Sequence, residues 1–162
     1  MKNIIGFTQW ELQQLAVEIG EKPFRGKQFF HWLYEHGVSC FEEMSTFAKP
    51  LRNKLAKVAT IEHIKVGAQQ TSSLDGTTKF LFELNDGKFI EAVLIPSLPT
   101  LVVDGDEEND RFPRRRLTLC ISTQVGCPLD CKFCATGTMG FTRNLTAGEI
   151  IDQLLMVKRL LP

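Results

Sequence analysis

The stretch that decides the fold covers residues 117–155 and reads LTLCISTQVGCPLDCKFCATGTMGFTRNLTAGEIIDQLL. Residues 117–122 have the pattern of a β-strand, and a loop rich in glycine and cysteine follows from residue 124 to about residue 144. The run Thr146-Ala-Gly-Glu149 is a capping box, which predicts the start of a helix. Strand, loop and helix in this order predict the first βα unit of an α/β barrel or wound sheet, in which active sites lie at the carboxyl ends of the strands.

The loop carries three cysteines, Cys127, Cys131 and Cys134, in the spacing C-x3-C-x2-C. Three thiolates can hold three irons of a 4Fe–4S cluster and leave the fourth open to a substrate or cofactor. Structural zinc normally needs four protein ligands, and ferredoxins supply four cysteines per cluster, so the triplet alone fits neither. Buried core cysteines occur singly, so the triplet is poorly explained by packing. The spacing therefore indicates a cluster that takes part in chemistry.

A fourth cysteine, Cys120, lies seven residues before Cys127 and leaves several interpretations open. A lone strand cysteine is typical of a buried core residue. Alternatively, Cys120 completes a set of four ligands, and four cysteines around zinc would make the chain a metal-binding interaction module. Metal analysis separates these cases, because zinc without sulfide supports the module and iron with equimolar sulfide supports an enzyme.

Two further units are predicted upstream of the α/β core. Residues 1–75 form a small helical domain, with helices at residues 8–19, 23–36 and 50–59. Residues 76–114 form a β-hairpin and linker, with strands at residues 77–84 and 88–95 around the turn Asn85-Asp86-Gly87. Residues 115–162 then begin the core. Because one βα unit cannot close a barrel, we expect the chain to be a fragment of a longer enzyme.

Composition excludes several classes of protein. The N-terminus has no signal-peptide h-region, and no apolar run has the length of a membrane span, so we expect no membrane partner. Five cysteines, four of them clustered, favour a reducing cytoplasm and a metal or redox role over a disulfide framework. The net charge is zero and does not bear on nucleic-acid binding. An acidic stretch at residues 104–110 precedes Arg111, Arg114, Arg115 and Arg116, which form either a solvated loop or a phosphate contact.

Several motifs together resemble one family. The loop contains the sequence Cys131-Lys-Phe-Cys-Ala-Thr-Gly137, and Gly140-Phe-Thr-Arg-Asn-Leu145 follows it. Cys120 lies seven residues before Cys127, the first cysteine of the loop. Near the N-terminus, Gly20-Glu-Lys-Pro-Phe-Arg-Gly-Lys-Gln28 leads to Trp32-Leu-Tyr34. In these features, over about residues 10–160, the chain resembles the RlmN family of radical S-adenosylmethionine RNA methyltransferases, whose near relative is Cfr.

The resemblance implies a specific reaction. The family methylates C2 of an adenosine in 23S ribosomal RNA and of an adenosine next to the tRNA anticodon, through a methyl-cysteine intermediate, with a 4Fe–4S cluster and S-adenosyl-L-methionine as cofactors. The partners implied are 23S rRNA, tRNA and an electron donor such as flavodoxin or ferredoxin, and we expect a monomer. A Cfr-like enzyme would modify C8 instead, and these residues do not decide the carbon. The methyl-carrying cysteine has no counterpart here, so we expect this chain alone not to turn over.

The resemblance also implies roles for individual residues. Cys127, Cys131 and Cys134 match the cluster ligands, Cys120 matches the cysteine that resolves the covalent adduct through a disulfide, and Glu91 matches the proposed general base. From its pattern alone, Glu91 is a carboxylate that alternates with apolar residues on a strand and faces outward.

The helical domain of the family is an RNA-binding accessory domain. The residues that match an RNA-binding face are Arg25, Lys27, Lys49, Arg52, Lys54 and Lys57, with Phe24, Phe29, Phe30 and Trp32. The alternative is a helix pair with an ordinary core and solvated lysines.

Overall fold

The computed structural model describes residues 1–96, 116–129 and 131–161. The predicted linker, its acidic stretch and the arginines after it, except Arg116, lie outside the described residues.

The first 60 residues form a helical unit whose two ends meet, because the first and last short strands pair in parallel. In chain order the elements are β1 (Lys2–Asn3), α1 (Gln9–Glu18), α2 (Phe24–Phe30), a π-helical turn (His31–Glu35), a 3-10 turn (Phe41–Glu43), α3 (Lys49–Val58) and β2 (Ala59–Thr60). The amphipathic spacing seen in the sequence explains the packing, since the apolar faces of the three α-helices meet in one cluster. Its fully buried members include Leu12, Phe29, Leu33 and Leu55.

Local signals set the ends of the first two helices. The predicted capping box of α1 is present, with the Glu11 amide donating to the Thr8 hydroxyl at 3.2 Å and the Thr8 amide donating to the Glu11 carboxylate at 2.7 Å. The second predicted helix is present over its expected range, but its last turn widens to π geometry, because the His36 amide donates to the carbonyl of His31 at 3.2 Å. Gly37, with φ of +64°, ends it as predicted.

The middle of the chain forms an antiparallel sheet of four strands in the order β3-β4-β5-β6. The strands are β3 (Lys65–Thr71), β4 (Thr78–Glu83), β5 (Phe89–Pro96) and β6 (Leu117–Cys120). The predicted hairpin is its centre, and the turn between β4 and β5 places Gly87 at a φ of +75°. β3 was not predicted from the sequence. Most of its residues are exposed and polar, so it lacks the alternation by which β4 and β5 were recognised.

The strand predicted at residues 117–122 ends two residues early, at Cys120. A side chain replaces the strand partner at this point, because buried Gln153 accepts from the Ser122 amide and donates to the Ser122 carbonyl, both at 2.9 Å. β6 pairs antiparallel with β5, so the hairpin and the first strand of the predicted core belong to one sheet.

The prediction of a continuous loop from residue 124 to residue 144 is wrong. Two short strands, β7 (Gln124–Gly126) and β8 (Phe141–Asn144), pair with each other, and α4 (Ala135–Thr138) lies between them. Pairing of strands this short depends on partners distant in sequence, which local patterns do not reveal. The last helix, α5 (Ala147–Leu160), begins at the predicted capping box on Thr146.

Helix α5 connects the two halves of the molecule. Its Leu155 is buried in the helical cluster, whereas Val157 is buried in a second cluster formed by the inner face of the sheet. Among the described helices, none has both the length and the apolar character needed to cross a membrane.

Candidate functional site

The cysteine loop is closed at its base by two glycines. Gly126 has a φ of +73°, and a Cβ atom built there would lie 1.8 Å from the carbonyl oxygen of Gly140. This close approach lets the Cys127 amide donate to the same carbonyl at 3.1 Å. Only glycine fits at position 126, and the close approach to Gly140 therefore forms a narrow neck at the base of the described loop residues 127–129 and 131–140.

Within the loop the three cysteines are free thiols. Cys127, Cys131 and Cys134 are each partly buried, and none forms a disulfide. A turn joins the last two, since the Cys134 amide donates to the Cys131 carbonyl at 3.1 Å. Phe133, between them in sequence, is 93% exposed. The loop therefore presents three partly buried cysteines together with exposed apolar surface at Phe133.

This donor set fits an iron–sulfur cluster in kind and number. Three accessible thiols on one short loop can ligate three irons and leave one open. Within residues 1–96, 116–129 and 131–161, however, no three histidine, cysteine or carboxylate side chains lie close enough together to hold a metal ion. The structure thus places the three cysteines in one loop without bringing them together as a metal-binding group, and it does not group Cys120 with them.

Glu91 and Cys120 lie on the same face of the sheet. Cys120 on β6 is opposite Val93 on β5, and Glu91 is two residues before Val93. Because side chains two residues apart share a face, Glu91 and Cys120 form a diagonal pair, a geometry with a separation of roughly 7 to 8 Å. Both are exposed on the face opposite the sheet's core. The interpretation of Cys120 as a buried strand cysteine is therefore wrong.

Lys79 belongs to the same face, although no sequence motif marks it as a site residue. Its ammonium lies 3.0 Å from the Glu91 carboxylate. In the strand register Lys79 is opposite Val93, so Lys79, Val93 and Cys120 form one row across three strands. Beside this row, Leu81 and Gln70 help to line a shallow hollow of about 140 Å³. The Glu91 carboxylate, the Lys79 ammonium and the Cys120 thiol thus share an exposed, partly polar surface.

Three comparisons with known proteins address the identity of the chain. Residues 2–61, which extend from β1 just past β2, match the family model described as the ribosomal RNA large subunit methyltransferase N-terminal domain. A dual-specificity RNA methyltransferase RlmN of Psychrobacter arcticus is 46% identical over 152 residues, which are 94% of this chain and 34% of that protein. A probable dual-specificity RNA methyltransferase RlmN of Thermotoga neapolitana is 40% identical over 98% of this chain and 42% of its own length. Residues 2–61 belong to this N-terminal domain family, and nearly the whole chain is similar to RlmN proteins.

A solved structure extends this result to the fold. The crystal structure of a radical SAM methyltransferase from Sphaerobacter thermophilus superposes with a TM-score of 0.79 and 34% identity, and it covers 99% of this chain and 42% of that one. The resemblance to the RlmN family and the mixed α/β fold expected from the sequence are both confirmed. The chain spans between 34% and 42% of the length of these relatives.

The basic face predicted for the RlmN-type helical domain is only partly available on the surface. Phe29 is fully buried in the helical core, so it cannot stack on a base. Lys54 is paired with Glu21 at 2.8 Å, and Arg52 donates to the Glu42 carbonyl at 2.6 Å. Phe24 remains 50% exposed. The other lysines of the predicted set, Lys27, Lys49 and Lys57, are exposed.

A buried pair, His63 and Asp152, joins the helical unit to α5. The Asp152 carboxylate lies 2.5 Å from Nδ1 of His63 and accepts from the Ile64 amide at 2.6 Å. The other ring nitrogen of His63 faces the Val38 carbonyl at 3.3 Å. The hydrogen bond to Asp152 raises the pKa of His63. The histidines have no ligand spacing in the sequence, and only the fold brings His63 to its partner 89 residues away.

Proposed function

We propose that the chain is part of a radical S-adenosylmethionine RNA methyltransferase that methylates C2 of adenosine in 23S ribosomal RNA and in tRNA. The observation that carries the proposal is the shared sheet face of Glu91 and Cys120, one strand ahead of the cysteine loop. Support for the substrate class comes from the names of the relatives, which are called dual-specificity RNA methyltransferases. Support for the reaction type comes from the radical SAM methyltransferase of similar fold.

In this proposal the cysteine loop holds the metal centre. Cys127, Cys131 and Cys134 would ligate a 4Fe–4S cluster and leave one iron open for S-adenosylmethionine. When bound, these cofactors supply the one-electron chemistry needed because an aromatic adenine carbon is not nucleophilic.

The residues on the sheet face would complete the reaction. Glu91 acts as the general base that removes the proton from the methylated adenine carbon, a role for which its exposed carboxylate is accessible. Cys120, also exposed, resolves the covalent adduct: its sulfur attacks the sulfur of the methyl-carrying cysteine and forms a disulfide, while the bond from that sulfur to the transferred carbon breaks. The electron pair of the broken bond goes to the carbon, which takes a proton and becomes the methyl group. Lys79, whose ammonium lies 3.0 Å from the Glu91 carboxylate, holds that carboxylate in place until the adenine of the substrate binds.

Complementation in a host that lacks adenosine C2 methylation tests the proposal. The host would carry this chain, or a chimera in which the chain replaces the matching segment of the Thermotoga neapolitana relative, and nucleosides from ribosomal and transfer RNA would be measured by mass spectrometry. We expect 2-methyladenosine with the chimera. Formation of 8-methyladenosine would instead establish the Cfr-like reaction. If a cluster-loaded chimera formed neither product, both the C2 and the C8 reactions would be contradicted.

Matched variants of the chimera test the two assigned residues. Glu91→Gln and Cys120→Ala should abolish product, because the first removes the base and the second removes the resolving thiol. Glu83→Gln, on a neighbouring strand of the same sheet, and Cys40→Ala, in the helical unit, are the controls and should retain it. Full activity of either of the first two variants would refute the corresponding role.

A further inference from the structure

We propose that Arg143 is a positioning residue that fixes the base of the cysteine loop against both the sheet and α5. The inference rests on the proposed cluster-binding role of the loop. It concerns the orientation of the loop, since Arg143 is outside residues 127–140 and supplies no ligand.

The guanidinium of Arg143 contacts three separate parts of the chain. It forms a two-pronged pair with Glu149 on α5, with Nη1–Oε2 at 2.9 Å and Nη2–Oε1 at 2.7 Å. Its Nε donates to Asp86, in the turn between β4 and β5, at 2.9 Å. Its Nη1 also donates to the Asn144 carbonyl on β8 itself, at 3.1 Å. One side chain therefore joins the cysteine hairpin, the sheet and the helix.

This network is stronger than an ordinary surface ion pair. The Arg143 side chain is 31% exposed and that of Glu149 only 18%, so both charges are partly withdrawn from water. Fork-to-fork pairing of guanidinium with carboxylate adds fixed geometry to the attraction. The hydrogen bonds from Arg143 also hold the pKa of Glu149 below its usual value, which keeps the carboxylate charged.

The hairpin requires such an anchor because its own pairing is small. β7 has three residues and β8 four, and a two-stranded hairpin is marginally stable on its own. Arg143 is opposite Val125 in the register, one residue before Gly126 at the neck of the loop. Whatever fixes Arg143 therefore fixes the direction in which the loop projects from the sheet.

Arginine is needed here rather than any positive charge. The planar guanidinium directs five donors outward in a fixed fork, whereas a lysine ammonium is a point charge that cannot reach Asp86, Glu149 and Asn144 in the same arrangement. Arg143→Lys keeps the charge and loses the geometry, and Arg143→Gln loses both. Lys2→Gln removes an exposed ion pair to Glu18, at 3.7 Å, and serves as the control.

The first measurement is hydrogen exchange on the 162-residue chain without metal. We expect Arg143→Gln to accelerate amide exchange in residues 124–127 and 141–144 by about tenfold, because the hairpin opens locally. Arg143→Lys should give nearly the same acceleration. The helices α1 and α3 should exchange as in the unsubstituted chain, and Lys2→Gln should change nothing in the hairpin. Unchanged exchange in the hairpin, equal acceleration in α1 and α3, or full rescue by lysine would each overturn the inference.

The second measurement follows anaerobic reconstitution with iron and sulfide. We expect both Arg143 variants to bind less cluster and to give a broadened electron paramagnetic resonance spectrum after reduction, while Lys2→Gln matches the unsubstituted chain. An unaltered spectrum and iron content in both Arg143 variants would count against positioning. If the unsubstituted chain itself binds no cluster while the exchange result stands, the cluster-binding role proposed for the loop is contradicted and the anchoring of the hairpin by Arg143 is supported.

Discussion

At the scale of single residues, Gly126 and Gly140 have nearly the same backbone conformation and very different surroundings. Their φ angles are +73° and +70°, but a Cβ at Gly126 would overlap the Gly140 carbonyl, whereas a Cβ at Gly140 would have nothing within 4 Å. Gly140→Ala should therefore cost only the strain of a left-handed alanine, about 1 kcal/mol. Gly126→Ala must also break the neck of the loop and should cost about 3 kcal/mol or more in local opening.

Hydrogen exchange in residues 124–127 reports both glycine substitutions. The common backbone strain cancels in the comparison, so the difference between the two variants measures the close approach alone. Equal exchange rates in the two variants would mean that the neck is not as tight as the structure indicates.

The His63–Asp152 pair predicts how stability depends on pH. The hydrogen bond to Asp152 raises the pKa of His63 in the folded chain, against the opposing effects of burial and of Arg159. The stabilisation by charged His63 is therefore complete below its unfolded pKa of about 6.5 and is lost as pH rises through the higher folded value. We expect the unfolding free energy to fall by about 1 to 2 kcal/mol from pH 6 to pH 9 through this pair.

Urea unfolding at a series of pH values tests this prediction. His63→Asn should remove most of that slope, while His31→Gln, which alters an exposed histidine paired with Glu35, should keep it. A slope of the same size in the His63 variant would assign the pH dependence to other groups.

Residue types were more predictable than residue partners. The spacing of Cys127, Cys131 and Cys134 identified the loop, because three cysteines within eight residues are a signal that can be read locally. The contacts of Arg143 with Asp86 and of His63 with Asp152 span 57 and 89 residues, and no local pattern marks them. They arise only when the sheet, the hairpin and α5 pack together.

At the scale of helices and strands, the two capping boxes are alike in sequence but not in surroundings. Thr8 and Glu11 cap α1 at an exposed site, whereas Glu149 in the box on Thr146 also holds Arg143. Glutamine can replace glutamate in a capping box, so Glu11→Gln should leave the unfolding free energy close to its original value. Glu149→Gln should lower it by about 1 to 2 kcal/mol, because the guanidinium loses a charged partner.

Urea denaturation of the two variants gives this comparison directly. Equal effects would mean that Glu149 acts only as a helix cap and that its ion pair with Arg143 contributes little. A large loss in both would point instead to a dependence of each helix on charge at its first turn.

Elements with local signals were predicted well, and elements made by distant pairing were not. The capping boxes, the Asn85-Asp86-Gly87 turn and the glycine that ends the second helix each act within a few residues. β3 has no apolar alternation, and β7 and β8 are too short to be recognised without each other. The early end of β6 at Cys120 depends on the side chain of Gln153 in α5, which lies 31 residues after its hydrogen-bond partner Ser122.

At the scale of the whole molecule, α5 determines how the helical unit and the sheet behave together. The helix contributes to both hydrophobic clusters, and the Lys158 ammonium donates to the Glu35 carbonyl at 2.9 Å. Close backbone contact between Gly6 and Gly148 brings the N-terminal segment against the start of the same helix. A shared helix of this kind favours one cooperative unfolding transition over two independent ones.

Leu155→Ala tests this coupling. Leu155 is 4% exposed, so its truncation should cost about 2 to 5 kcal/mol. Because the helix serves both clusters, the loss should appear equally in tryptophan fluorescence, which reports Trp10 and Trp32 in the helical unit, and in hydrogen exchange of β4 in the sheet. Ile151→Ala on the same helix, at a position 38% exposed, is the control and should cost much less. Separate transitions for the two probes in the unsubstituted chain, or a loss confined to the helical unit in Leu155→Ala, would mean that the two halves fold independently and that α5 belongs to only one of them.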